Sequence, residues 1–187
     1  GTPQLLRELG ASHGFNVEIL PKMTFGGRTV SSSEIRTLLE AGAVSPAGRL
    51  LGRPFAVRGP IVSGLGIGSK EAVPTFNLGE YAGLIPARGV YVTRAKLFDA
   101  AGQLLTSRQG AQSVSNIGTR PTFGEREVGI ETHLIETPPE SAARAAEIEV
   151  SFLYRLREEK KFSSPSALLR SEEHTSELQS RLHLVCR

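Results

Sequence analysis

Pro74-Thr75-Phe76-Asn77 sets a hydroxyl and an amide two residues apart. In extended backbone, positions i and i+2 share a face about 7 Å apart. Thr75 and Asn77 therefore present two neutral, hard oxygens to one side. Such donors suit Mg²⁺ when phosphate oxygens and water complete its shell. The same pair fits an ordinary strand start in which Thr and Asn satisfy a turn, and the residues alone favour that reading. Just upstream, Gly64-Leu65-Gly66-Ile67-Gly68-Ser69-Lys70 alternates glycines ahead of a lysine. Glycines let backbone amides approach a phosphate closely, and a lysine at the rim adds charge. It is neither a Walker A loop nor a dinucleotide fingerprint, and glycine spacing alone favours a flexible hairpin loop. Farther along, Gly129-Ile130-Glu131-Thr132-His133-Leu134-Ile135 alternates, so Glu131, His133 and Ile135 share one face and Ile130, Thr132 and Leu134 the other. A carboxylate such as Glu131 can take the proton of an alcohol during phosphoryl transfer. The competing reading is the wet face of an edge strand, and His133 is given no catalytic role.

These groups need a rigid frame, and composition limits what it is. The chain has 187 residues, of which 39% are apolar, enough for one ordinary domain or two small ones. With 20 Gly and 11 Pro, turns are frequent, which favours short strands over bundles and coiled coils. The sequence shows no membrane-length apolar run and no secretory leader, so a cytoplasmic enzyme is expected. One cysteine, Cys186, cannot close an internal disulfide, and four scattered histidines give no zinc spacing. A net charge of +3 spread without a basic block, and no Trp, argue against a nucleic-acid partner.

Three zones follow. Residues 1–52 read as helical with a strand at 15–20. Ser31-Ser32-Ser33-Glu34 is a capping box that should start a helix burying Ile35, Leu38 and Leu39 and ending at Gly42. Ser45-Pro46 should cap a second helix that stops at Gly52. These elements have no core of their own and read as the end of a domain. From residue 53, strand-like stretches recur at 55–63, 73–78, 89–98, 104–117, 127–135 and 147–154, with a turn at Asp99-Ala100-Ala101-Gly102 and a short helix within 138–146. Six strands predict a mainly β fold, a small antiparallel Greek-key-like barrel with flanking helices. The last zone opens with Ser163-Ser164-Pro165, a helix start. Residues 170–187 include "RSEEHTSELQS", which reads as the translation of an adapter oligonucleotide and is set aside.

Taken in order, the Gly64 to Lys70 run, Pro74-Thr75 with Asn77, Gly89-Val90-Tyr91, Ser115-Asn116-Ile117-Gly118 with Pro121-Thr122-Phe123, Glu131-Thr132-His133-Leu134, and Leu156-Arg157 with Lys161-Phe162 resemble the riboflavin kinases, specifically the kinase module of the prokaryotic bifunctional riboflavin kinase/FMN adenylyltransferases. Val30 to Arg36 and Ala47 to Pro54 are similar to the end of the nucleotidyltransferase domain of those enzymes. The resemblance implies a truncated α/β nucleotidyltransferase remnant at 1–52 and a kinase barrel at 53–169. It implies Mg-ATP beneath the glycine-rich loop and riboflavin across a shared cleft. Thr75 and Asn77 would hold Mg²⁺ and phosphates, and Glu131 would be the base on the ribityl 5′-hydroxyl. Gly64, Gly66, Gly68, Ser69 and Lys70 would cover the nucleotide, and Arg157 and Phe162 would border the flavin. The product would be FMN.

Three departures stand against the family pattern. Phe76 replaces a small residue, but alternation turns it from the metal. His13-Gly14-Phe15 is not a His-x-Gly-His segment, so FAD formation is not expected from this chain, whose nucleotidyltransferase partner in cis is missing. The family's closing helix is replaced after Leu169. A non-catalytic flavin- or nucleotide-binding barrel, or a scaffold, is the rival expectation.

Overall fold

The computed structural model describes residues 2–62, 75–121, 126–135 and 140–158. Helix α1 (Pro3–His13) starts under the Thr2 hydroxyl, which accepts from the Leu5 amide, and ends at Gly14. A two-rung hairpin, β1 (Thr24–Phe25) and β2 (Arg28–Thr29), leads to α2 (Ser32–Glu40) and α3 (Val44–Leu51). Then come β3 (Phe55–Val62), β4 (Thr75–Leu78), β5 (Gly89–Phe98), β6 (Ala111–Pro121), β7 (Arg126–Leu134), a 3₁₀ turn (Glu140–Arg144) and β8 (Glu147–Arg157).

The last six strands close into an antiparallel barrel in the order β3-β4-β7-β6-β5-β8. β5, β6 and β7 follow one another, and β8 returns beside β5, which is the Greek-key arrangement the strand count predicted. Alternation selects the inward face. Ile148, Val150 and Phe152 of β8 are essentially inaccessible, as are Tyr91, Ala95 and Leu97 of β5. The Phe152 ring lies edge-on to Tyr91, with centroids 5.3 Å apart, and stacks on Phe55. Asp99 closes the β5 turn: its Oδ1 accepts from the Ala101 and Gln103 amides. β6 starts seven residues later than expected, because Leu104 makes only an isolated bridge to Phe98.

The helices α2 and α3 gain their core from the barrel. Leu38, Leu39, Val44, Ala47 and Leu50 belong to the same buried cluster as the strands. The Leu39 carbonyl accepts from the Ala87 amide. Gly42, at φ +75°, sits against the Arg155 side chain, where any Cβ would lie 2.8 Å from Cδ. The left-handed backbone favours glycine here, and a larger residue would also have to displace the end of the Arg155 side chain.

Three local expectations are corrected. Residues 15–20 form no strand, since nothing among the described residues pairs with them, and an unpartnered strand leaves its backbone groups unsatisfied. The capping box is half formed: Ser31 Oγ accepts from the Glu34 amide, while the Glu34 carboxylate takes Arg28 at 2.6 Å. An ion pair with a nearby guanidinium outcompetes a hydrogen bond to the cap amide. The next helix begins at Val44, with Ala43 rather than Ser45 at the cap and no side-chain cap bond. Burial of Val44 and Ala47 in the shared core outweighs the missing cap.

Tyr91 supplies a pH test of this core. Its hydroxyl donates to the Ala87 carbonyl. Burial pushes the phenol above its ordinary 10.0, and nearby Arg155 pulls it part of the way back. From about pH 10 upward the unfolded chain therefore loses this proton before the native one, so the folded state loses stability as pH rises towards the native pKa. Tyr91→Phe should flatten that alkaline decline in urea unfolding compared at pH 9 and 11. A decline identical to wild type would contradict the assignment.

Candidate functional site

Register, more than any single residue, builds the outer surface of the barrel. β4 pairs with β7 so that Thr75 faces His133 and Asn77 faces Glu131. β6 flanks β7 on its other side, with Asn116 opposite Glu131. The inward members of these strands, Leu78, Ile130, Thr132, Leu134, Ser115 and Ile117, are buried. Thr75, Asn77, Glu131, His133 and Asn116 therefore lie on the opposite, outward face. Strands pack about 4.8 Å apart, so Asn77, Glu131 and Asn116 form a row about 10 Å long. Because the barrel is closed, β7 is not an edge, and the edge-strand explanation for Glu131 and His133 falls away.

Thr75 Oγ1 is 2.8 Å from His133 Nδ1. Phe76, between the two proposed donors, packs against the core as alternation requires. Beneath this patch the wall is held by buried hydroxyls. Thr93 Oγ1 reaches Ser113 Oγ at 2.8 Å and Ser115 Oγ at 2.9 Å, and Ser115 Oγ reaches Thr132 Oγ1 at 2.8 Å. A chain of satisfied hydroxyls across β5, β6 and β7 penalises any slip of register, which would orphan them. Thr132, between Glu131 and His133, ties the acid-bearing strand to Ser115 of β6.

The row continues from Asn116 to Val90 and then Arg157. Arg157 is exposed, and because the barrel is closed its strand, β8, is also reached from β4 in two steps through β3. Thus Thr75, Asn77 and Glu131 share one outward face of the adjacent strands β4 and β7, while Arg157 is on β8, which pairs with neither. Gly64, Gly66, Gly68, Ser69, Lys70 and Phe162 lie outside the described residues. A cavity of about 470 Å³, lined by Val62, Leu78, Tyr81, Ile85, Val128 and Ile130 with Glu80 at its wall, adjoins the β4–β7 pair; Thr75, Asn77 and Glu131 do not line it.

Among the described residues no group of three or more His, Cys, Asp or Glu could hold a metal. The two neutral donors on this face, the Thr75 hydroxyl and the Asn77 amide, are hard and uncharged. They fit a divalent cation that arrives with phosphate oxygens rather than one caged by carboxylates. Asn116 and His133 share this outward face with Thr75, Asn77 and Glu131, although sequence reasoning gave neither a role. The signal for Asn116 was its place in the Ser115-Asn116-Ile117-Gly118 segment. For His133 it was the two-residue spacing from Glu131.

Comparison with known proteins bears on the chain as a whole. A family model described as "Flavokinase: Riboflavin kinase" matches residues 51–178. Curated relatives include the bifunctional riboflavin kinase/FMN adenylyltransferase of Pseudomonas fluorescens, 32% identical over 90% of this chain and 51% of its own length. Those of Escherichia coli K12 and Bacillus subtilis 168 are 30% and 32% identical, covering 86% and 78% of this chain and 48% and 44% of theirs. The chain spans about half the length of the curated relatives it matches. Among solved structures, a macrolide-efflux protein from Streptococcus pneumoniae aligns with TM-score 0.71 at 27% identity, over 95% of this chain and 54% of that one.

Proposed function

From membership of the riboflavin kinase family, to which the chain belongs through residues 51–178, we propose that it transfers the γ-phosphoryl group of ATP to the ribityl 5′-hydroxyl of riboflavin, giving FMN and ADP. The observation that supports this is the β4–β7 register, which pairs Asn77 with Glu131 and Thr75 with His133, so that all four residues share one outward face. In this reading Thr75 and Asn77 hold Mg²⁺ with the phosphates. Bound there, the cation would offset the charge on the phosphoryl oxygens.

Glu131 accepts the proton of the 5′-hydroxyl as its oxygen bonds to the γ-phosphorus and the bond to the ADP oxygen breaks. The proton then leaves Glu131 for solvent. Positioning and charge compensation supply most of such a rate enhancement, and no phosphoenzyme is needed. Gly64, Gly66, Gly68, Ser69 and Lys70 cover the nucleotide phosphates in this account, and Arg157 and Phe162 border the flavin. The cavity beside Leu78 and Ile130 offers apolar walls for one of the two planar ring systems.

The same proposal assigns residues 1–52 to the end of an adenylyltransferase domain, 53–169 to the kinase, and 170–187 to a foreign tail. Leu5, Leu6 and Leu9 on α1, with Phe15, are exposed apolar side chains, which fits a first segment that packs against something other than the described residues. Among the described residues no helix is long and apolar enough to cross a membrane, and we place the reaction in the cytoplasm. Incubation with riboflavin and Mg-ATP, followed by chromatography of the flavins, should show FMN. Flavin and nucleotide binding without FMN would leave a binding module instead.

A further inference from the structure

His133 carries a contact that the reaction as written does not use. It sits on β7 directly across from Thr75 and two residues from Glu131, on the same outward face. Its Nδ1 is 2.8 Å from Thr75 Oγ1. A hydroxyl has one proton and two lone pairs. If its oxygen is to serve a cation, a lone pair must face the cation and the proton must be donated elsewhere. A neutral imidazole with its proton on Nε2 offers Nδ1 as that acceptor.

We propose that His133 is a positioning residue, which accepts the Thr75 hydroxyl proton at Nδ1 and so turns the Thr75 oxygen towards the cation. The proposal rests on the reading of Thr75 as a cation ligand. It gives β7 two tasks through one alternation: Glu131 meets the alcohol, and His133 aims a ligand on β4. Groups that orient metal ligands in this way commonly matter about 10- to 100-fold in metal affinity.

The test compares four variants by calorimetric titration of ADP with and without Mg²⁺, alongside KM for Mg-ATP and thermal melting. Thr75→Val removes the hydroxyl. His133→Leu keeps bulk and removes the acceptor. His133→Asn places an amide oxygen the same number of bonds from Cα as Nδ1. The double variant Thr75→Val/His133→Leu tests coupling. Tightening of ADP by Mg²⁺ should fall about tenfold in His133→Leu, with KM for Mg-ATP rising and metal-free ADP affinity and melting close to wild type. His133→Asn should restore most of the effect, and the double variant should lose no more than Thr75→Val alone.

Full Mg²⁺ tightening in His133→Leu, with loss in Thr75→Val, would overturn the role of His133 while leaving Thr75 as ligand. An Asn variant as impaired as the Leu variant would also overturn it, by reducing the ring to packing. Full tightening in Thr75→Val would overturn the ligand reading and the proposal with it.

Discussion

Glu131→Gln should lower kcat for FMN formation by about 10²- to 10⁴-fold, the usual value of a positioned general base. The substitution keeps shape and removes the proton acceptor. Glu131 projects outward from β7 between Asn77 and Asn116, away from the packed interior, so the barrel should melt close to the wild-type temperature. Mg-ADP affinity should stay within about twofold, since the cation and phosphates rest on other groups in this account. Steady-state kinetics, nucleotide titration and melting of one preparation check all three. A Gln variant at full rate would remove Glu131 from the chemistry. Loss of nucleotide binding together with rate would make it a binding residue.

The second large effect is on the fold. Phe152→Ala should destabilise the protein by about 3–5 kcal/mol, the range for deleting a buried aromatic ring. Phe152 is 1% exposed, lies edge-on to Tyr91 and stacks on Phe55. Its strand, β8, closes the barrel between β3 and β5, so a cavity there loosens the seam on both sides. Such a loss is a large part of the 5–15 kcal/mol that holds an ordinary domain together. Urea unfolding should show the shift in midpoint. Phe152→Leu, which refills much of the space, should recover a good share of it. A change under about 1 kcal/mol for Phe152→Ala would mean that the seam is not packed as described.

Much of the barrel could be read directly from the chain, because its strands announce themselves locally. Ile148, Val150 and Phe152 alternate with polar residues, and Asp99 to Gly102 marks a turn that the Asp99 carboxylate then closes. The faces of β7 were readable for the same reason: Glu131 and His133 must oppose Ile130, Thr132 and Leu134. Local pattern failed where a distant partner decides. Residues 15–20 have strand-like composition but nothing among the described residues pairs with them. The start of α3 is set by the burial of Val44 and Ala47, not by the Ser45-Pro46 signal. The fit of Gly42 against Arg155 joins positions far apart in sequence.

The site divides in the same way. Thr75 and Asn77 were a recognisable pair because i and i+2 share a face. Their meeting with Glu131 and His133 depends on the β4–β7 register, set between strands more than 50 residues apart. No local periodicity encodes that register, and only the family resemblance tied the motifs together beforehand. His133 shows the cost of judging residues singly, since a lone histidine on a wet strand face has no evident partner until β4 is laid beside it.

The most direct test is a crystal structure of this chain with ADP, Mg²⁺ and riboflavin bound together. The account predicts a cation about 2.0–2.1 Å from the Thr75 hydroxyl and Asn77 carbonyl oxygens. It also predicts the ribityl 5′-oxygen within about 3 Å of a Glu131 carboxylate oxygen. A cation bound away from β4, or a ribityl chain on a face that Glu131 cannot reach, would contradict it.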